Sequence, residues 1–486
     1  MFTRVNFFRN QYCTGFAANA TILLCGSCFV WVTPLLPRLT ATAGVSRGVA
    51  PLLAMTPTQQ SWLVALYEVG ALIAPIPAGR LADKTGRRVA LITGMPLLLF
   101  SWLAVLSFRS VAGFYAARLL QGTALGFLAT AAGIYISEIS SAHARGAMTS
   151  LQQGMWYSGF LLQYVTGSYL RYETNVHVNL TLTVLLFIYL LIFPLETPYH
   201  LVKIGQQERA LESLMVLRGK RMGDDLLETH REMSQIVESV EMEQKTEKVV
   251  WKDLIKTKAD RRILLVTQFL TAARILCGSI SVSTYINVLL NSDQNNLDST
   301  KTSTNVTTII YGSVTLVTII TASFLVDIVG RRPLLLISSA GAFIANVGCA
   351  LYFYHPPIFN NFLYLNSSKI LPLPVLLTSL TFFFSIGLGP VTQTVQSELL
   401  PSHTRGLGNV VSLVNVTLTG LITLRCYQVV VDMLGVYANF MIYAVVCALC
   451  FVFVAIFVPE TRGKSLLEIR RYFIDESRAK VQVTKF

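Results

Sequence analysis

Long apolar runs separated by short charged turns dominate the chain. They fall near residues 16–37, 60–80, 89–108, 111–134, 148–170, 178–195, 262–290, 307–326, 333–354, 371–396, 408–431 and 435–458. Each is close to the ~20 apolar residues that a helix needs to cross a hydrocarbon core of about 30 Å. The pattern predicts an all-α membrane protein with twelve transmembrane helices. Residues 196–260 break it: charges of both signs surround apolar residues at helical spacing. That stretch reads as short amphipathic helices in a solvated linker rather than as a docking site. The expected organisation is a six-helix half over 1–195, a cytoplasmic helical linker over 196–260, a second six-helix half over 261–458 and a tail over 459–486.

Composition agrees. The chain is 53% hydrophobic and 13% charged, against about 25% charged in soluble domains. A net charge of +13 could point to nucleic acid, but Lys and Arg concentrate in alternate loops. Arg87 and Arg88, Arg145, the linker, Arg331 and Arg332, and Arg405 hold them, followed by Arg462, Lys464, Arg470 and Arg471 in the tail. That distribution is the positive-inside pattern. It makes the bilayer the partner, excludes nucleic acid, and places both termini in the cytoplasm, with the plasma membrane as the expected location.

Sequons at Asn305 and Asn366 fall in outer loops, and Asn179 heads a third at an outer helix end; these are the candidate glycosylation sites. Most cysteines lie in apolar runs, so no disulfide framework is expected. The pairs Cys25/Cys28 and Cys447/Cys450 lack the His or further Cys of a metal site. No metal, cofactor or enzymatic activity is expected. The first run lacks a clear cleavage signal and reads as a retained anchor.

Polar motifs occur twice. Asp83-x-x-Gly-Arg87-Arg88 returns as Asp327-x-x-Gly-Arg331-Arg332; Glu138 with Arg145 returns as Glu398 with Arg405; Glu196-Thr197 returns as Glu460-Thr461. The copies lie between about 244 and 264 residues apart, so one six-helix unit has been used twice. Arg suits forked bonds to carboxylates. Such pairs at helix ends can hold an inner side closed and break when it opens.

With Gln60-Ser-Trp62, Ala117-Arg118-Leu-Leu-Gln-Gly122, Tyr135-Ile-Ser-Glu138 and Pro459-Glu-Thr-Arg-Gly-Lys-Ser-Leu-Leu-Glu-Ile469, these motifs resemble the sugar-porter family of the major facilitator superfamily. The facilitative trehalose and glucose transporter branch is the most similar. The resemblance implies twelve helices, alternating access and a central site for a small solute. It also implies a cytoplasmic gate of Asp83, Arg87, Arg88, Arg118, Glu138, Arg145, Glu196, Asp327, Arg331, Arg332, Glu398, Arg405 and Glu460.

On the fifth span, Gln153 matches the family's substrate glutamine, and Trp156 and Phe160 follow on the same helical face. On the seventh, the family's Gln-Gln-Leu-Ser-Gly-Ile-Asn is replaced by Arg274-Ile-Leu-Cys-Gly-Ser-Ile280, while Tyr285 matches an outer-gate tyrosine. On the tenth, Gly-Pro-x-Pro-Trp becomes Gly389-Pro-Val-Thr-Gln393; on the eleventh, Val416 stands at the asparagine position. Gln153, Trp156, Phe160, Arg274, Tyr285 and Gln393 are the candidate substrate residues: the gate is kept and the pocket is altered.

Ionisable residues within spans cost about 2.5–3.5 kcal/mol each near the membrane centre on insertion scales, so each should face a partner or a wet cavity. Arg118, Arg425, Glu68 and Arg274 are of this kind, and Glu68 with Arg274 is a candidate pair. The first span carries no acid where proton-coupled relatives keep an aspartate, which favours facilitated diffusion. The expected function is facilitative transport of trehalose or a hexose. The alternatives are a carrier of an anionic non-sugar solute held by Arg274, or a non-transporting nutrient sensor.

Overall fold

The computed structural model describes residues 10–39, 53–219, 227–245, 251–291, 300–354, 372–401, 404–464, 468 and 472. They form two compact units: Met1–Trp31 with Leu66–Lys248, and Val32–Ala65 with Val249–Phe486. The boundary runs through one helix. The expected Asn366 acceptor lies outside the described residues, as do the side chains of Arg145 and Arg405.

The first unit contains α1 (Gln11–Val30), the later part of α2 (Pro57–Ile73), α3 (Pro75–Thr85), α4 (Arg87–Ser107), α5 (Val111–Ile139), α6 (Ala142–Tyr169) and α7 (Tyr172–Ile192). The linker helices α8 (Pro198–Lys203), α9 (Gln207–Leu217) and α10 (Leu227–Lys245) follow. The second unit contains α11 (Lys258–Leu276), α12 (Ser279–Asn291), α13 (Thr300–Val329), α14 (Arg331–Tyr354), α15 (Pro372–Ile386), α16 (Pro390–Leu399), α17 (Arg405–Leu434) and α18 (Val436–Phe457).

Among the described residues, 11 helices or broken helices are long and apolar enough to cross a membrane. Two long helices fall outside that set, the charged linker helix α10 with 19 residues and α6 with 28; Gln152, Gln153, Ser158, Gln163 and Thr166 make α6 polar. Its backbone meets that of α1 directly. A Cβ on Gly26 would stand 2.2 Å from the Trp156 carbonyl oxygen, and one on Gly159 would stand 2.1 Å from that of Leu23. Small residues at such crossings let membrane helices gain dispersion contact without hydrophobic driving force.

Three spans that read as continuous runs are broken. Pro75 opens α3 after Ala74 and Pro390 opens α16 after Gly389, each at the first helical position that proline favours, whereas α4 accommodates Pro96 in its interior without a break. The seventh span breaks at Gly278, whose φ of +93° is left-handed and whose added Cβ would strike the Tyr443 ring at 2.3 Å. Only glycine suits both demands. A capping box starts this span: Thr257 Oγ1 accepts from the Asp260 N–H at 3.1 Å, and Asp260 Oδ2 accepts from the Thr257 N–H at 3.3 Å.

The linker helices are more than a solvated connection. Val202, Ala210, Leu214, Met233, Ile236 and Val240 bury together in a small core of their own. Arg218 binds the Glu232 carboxylate and donates to Gln11 Oε1 at 2.7 Å and the Ile139 carbonyl at 2.9 Å. Those bonds tie the linker to one end of α1 and of α5.

Candidate functional site: duplicated arginine clusters and an amide–aromatic face

Each unit closes a polar cluster around one arginine. In the first, Arg87 Nε donates to Glu138 Oε1 and Oε2 at 3.0 and 3.1 Å. Its Nη1 donates to the Ala82 carbonyl at 3.1 Å and to His200 Nδ1 at 3.0 Å; Asp83 stands 3.6 Å from Nη2. The Thr197 hydroxyl donates to the same Glu138. In the second, Arg331 donates to Glu398 Oε1 from Nε at 3.1 Å and from Nη2 at 2.8 Å. Nη2 also reaches Asp327 at 2.9 Å, Nη1 reaches the Val326 carbonyl at 3.1 Å, and Thr461 donates to Glu398 at 2.6 Å. The sequence repeat is therefore a repeat of bonds.

A second carboxylate in each unit binds a helix N-terminus. Glu196 Oε1 accepts from the backbone N–H of Arg87 at 2.8 Å and, more distantly, from that of Arg88. Glu460 accepts from the N–H groups of Arg331, Arg332 and Arg462 at 3.0, 3.0 and 2.9 Å. The free N–H groups and the dipole of a helix start both favour an anion there. Burial works to raise the Glu460 carboxyl, but these donors, with Thr461, prevail and hold it below the usual carboxylate range. Gly86 and Gly330, at φ +106° and +102°, leave room for the carboxylates: an added Cβ would lie 2.2 Å from Glu196 and 2.8 Å from Glu460. Arg88 and Arg332 complete the parallel by donating to the Leu191 and Ala455 carbonyls, each at 2.6 Å.

His200 has no place in the sequence expectations and no histidine counterpart in the second unit, where the matching position is Lys464. Burial, together with Arg87 and Lys203, pushes its imidazole below the ordinary range, against the pull of Glu196 and Asp83. Asp83 also faces Lys203 Nζ at 3.7 Å.

Arg118 does not join the Arg87 cluster. It stands roughly 30 Å before Glu138 along α5 at ~1.5 Å per residue, fully buried. Its Nη1 donates to the Cys28 carbonyl at 2.6 Å and to Gln121 Oε1 at 3.2 Å, and its guanidinium lies over the Tyr67 ring at 4.7 Å.

The candidate substrate residues divide between the units. In the first, Gln153 and Trp156 are half-buried on α6. Behind them Phe160 stacks on Phe29 with centroids 5.5 Å apart and planes at 6°, and Trp156 tilts against both. An aromatic wall beside an amide can take the C–H face and the hydroxyls of a sugar. In the second unit, Arg274 sits one turn before the break at Gly278; among the described residues its Nε has no hydrogen-bond partner. Tyr285 is buried and stacked on Tyr427 at 4.3 Å, and Gln393 is exposed on α16. Arg425, over the Trp62 ring at 5.1 Å, donates to Ser61 at 3.2 Å.

Asn179 does not suit glycosylation, contrary to the sequon. It is 1% exposed, accepts from Ser27, and donates to Gln163 and to the Asn175 carbonyl. Asn305 is half-buried on α13.

The profile of the family described as "Sugar (and other) transporter" matches residues 20–473. The chain belongs to this family. It is similar to the "Sugar transporter ERD6-like 6" of Arabidopsis thaliana, 30% identical over 87% of this chain and 84% of that one. The "Facilitated trehalose transporter Tret1" of Bombyx mori is 28% identical over 89% of this chain and 82% of that one. Among solved structures, the inward-open xylose transporter XylE of E. coli superposes with a TM-score of 0.74 at 20% identity, covering 95% of this chain and 99% of that one. That likeness establishes the major facilitator fold for this family member. The chain is a multi-pass membrane transporter, not an enzyme.

Proposed function

We propose that this transporter carries a neutral sugar, trehalose or a hexose, by facilitated diffusion and alternating access. Its two six-helix halves, 1–195 and 261–458, are joined by the cytoplasmic linker 196–260, with both termini inside and the plasma membrane as its location. The observation that carries this reading is α6: a long helix too polar to count as an apolar span presents Gln153 and Trp156 half-open before the Phe29–Phe160 stack. Amides in a membrane helix require a partner or water, and an amide beside rings matches a polyol with a C–H face. The names of the trehalose and glucose transporters among the relatives support the substrate class.

Arg274, Tyr285 and Gln393 supply the contacts of the second half. Arg274 has its Nε–H to spare for a substrate hydroxyl where the family pattern has an amide. The Arg87 and Arg331 clusters act as the cytoplasmic gate, with Arg145 and Arg405 as further members. Uptake of labelled trehalose, glucose and a panel of organic anions tests the reading. Saturable sugar uptake is expected; uptake of anions alone, abolished by Arg274→Gln, would replace the sugar with an anionic solute.

A further inference from the structure

The second unit carries a set of amides that the substrate residues above do not include. Gln268 on α11 donates from Nε2 to Ser412 Oγ on α17 at 2.8 Å. Asn415, one turn further along α17, donates to Gln268 Oε1 and to the Gln268 carbonyl, each at 2.9 Å. The Thr419 hydroxyl then donates to Asn415 Oδ1 at 2.9 Å. Beside them, Gln396 on α16 donates to Asn409 Oδ1 at 3.0 Å, and its own Oε1 lies 3.5 Å from the Thr271 hydroxyl. Three helices of one unit thus converge on a belt of amides.

Gln268 and Asn415 lie well within spanning segments, and Gln396 and Asn409 lie about one turn from a helix end. Gln268 falls about 15 Å into its helix at ~1.5 Å per residue, and Asn415 a similar distance into α17. Amides at this depth cannot face hydrocarbon without a partner. Interhelical adhesion would explain the Gln268–Asn415–Ser412 bonds, but it leaves capacity over. Each amide has two N–H donors and two acceptor lone pairs. Gln268 and Gln396 each use one donor in these bonds, and Gln396 Oε1 has only a long contact. The Asn409 NH2 group has no partner among the described residues. Gln268, Gln396 and Asn415 are half-exposed and Asn409 is exposed, so these amides are not sealed in the packing, and the bonds already made orient them. Donors and acceptors in alternation are what a row of sugar hydroxyls, each both donor and acceptor, can use.

The belt continues towards known landmarks at both ends. Thr271 and Arg274 follow Gln268 at three-residue steps, on one face of α11. Gln396 lies two residues before Glu398, the partner of Arg331. No aromatic side chain takes part in the belt's bonds, so a sugar here would be held by hydroxyl bonds alone, weakly enough to leave.

We propose that Gln268, Gln396, Asn409 and Asn415 form a second, low-affinity sugar station within the second unit, between the Arg274 level and the Arg331 cluster. It rests on the sugar reading above and adds to it a stopping place for polyol hydroxyls on the route to the Arg331 side.

The test uses purified full-length protein in proteoliposomes, with labelled trehalose and glucose measured in both directions. Gln396→Leu and Asn409→Ala remove station groups whose bonds are peripheral, so folding should survive; Gln268→Leu removes the centre. Each loses bonds worth about 0.5–1.5 kcal/mol net, or about 2- to 13-fold. The half-saturation concentration from the Arg331 side should rise by that factor. From the opposite side it should stay within about two-fold of wild type, and the thermal midpoints of the two peripheral variants should match wild type. In a passive carrier Vmax/KM must remain equal in the two directions, which checks the kinetics internally. A lower melting midpoint with unchanged half-saturation in both directions would make the belt interhelical adhesive and overturn the station. Equal changes from both sides would overturn it as well. Wild-type protein that moves neither sugar overturns the sugar reading itself, and the station with it.

Discussion

Arg87 donates from Nη1 to Nδ1 of His200 across 3.0 Å, so the imidazole serves as an acceptor and must be neutral at that nitrogen. Protonation would set two cations against each other. The remaining charged groups near the ring are Glu196, Asp83 and Lys203.

This contact gives the first unit a pH dependence. Because the folded state lowers the His200 pKa, the unfolded chain binds its proton first as pH falls. The associated stability is complete above about 6.5, the ordinary histidine value, and is lost as pH drops from there through the depressed folded value. His200→Asn, which keeps an acceptor and cannot titrate, should flatten the unfolding midpoint between pH 7 and 5. An unaltered pH profile in that variant would show that His200 is not the group responsible.

Glu138→Gln and Glu398→Gln each remove the carboxylate held by the central arginine, and both should shift the resting population away from the outward-open state. The first should do more. Arg331 keeps Asp327 at 2.9 Å, whereas Arg87 keeps Asp83 only at 3.6 Å. Leaving a buried cation unpaired costs about 3–5 kcal/mol when no acceptor remains, and the residual acceptors reduce that figure in both units. Labelling of introduced cysteines from the outer side reads the population. Identical labelling in the wild type and both variants would remove the clusters from the gate.

Gln153→Ala and Trp156→Ala should each raise the half-saturation concentration for sugar several-fold. The amide loses bonds worth about 0.5–1.5 kcal/mol; the indole loses its apolar wall. Surface abundance should hold, because both side chains are half-buried rather than central to the packing. Wild-type kinetics in both would mean that this face of α6 serves packing only.

Glu68 and Arg274 provide a sharper test of connectivity. No bond between them is needed by either cluster described above, so Glu68→Gln and Arg274→Gln should combine additively within about 0.3–0.5 kcal/mol. Arg118 keeps its carbonyl acceptors at Cys28 and Phe29 when Glu68 is neutral, so Glu68→Gln alone should fold. A double variant that recovers function lost in the single one would instead establish a Glu68–Arg274 pair.

Much of this was legible along the chain. Run length and charge spacing give the spans, because lipid demands apolar helices of nearly constant length. The duplicated Arg87 and Arg331 motifs indicate the repeat, since their residues are consecutive or nearly so. What remained hidden depends on distance in sequence. Nothing in the text of the chain joins Gln268 to Asn415, or Arg118 to the Cys28 carbonyl, because each pair is made by helices meeting. His200 was overlooked for the same reason. The breaks at Ala74 and Gly389 had a visible signal in Pro75 and Pro390; hydropathy averages over such positions and so passed them by. Asn179 shows the converse error, a pattern of three residues taken without the burial that disables it.

The two carboxylates on the helix starts impose an order on synthesis. Glu196 reaches the Arg87 amide across 109 residues of chain, so the first unit can finish its cluster while the second is still in the ribosome. Glu460 must span 129 residues to Arg331, and it comes after the last apolar span of the second unit. The second half therefore remains unfastened at this corner until residue 460 has been made. A ribosome that stops short of residue 460 releases the spans described above with the Glu460 clasp missing.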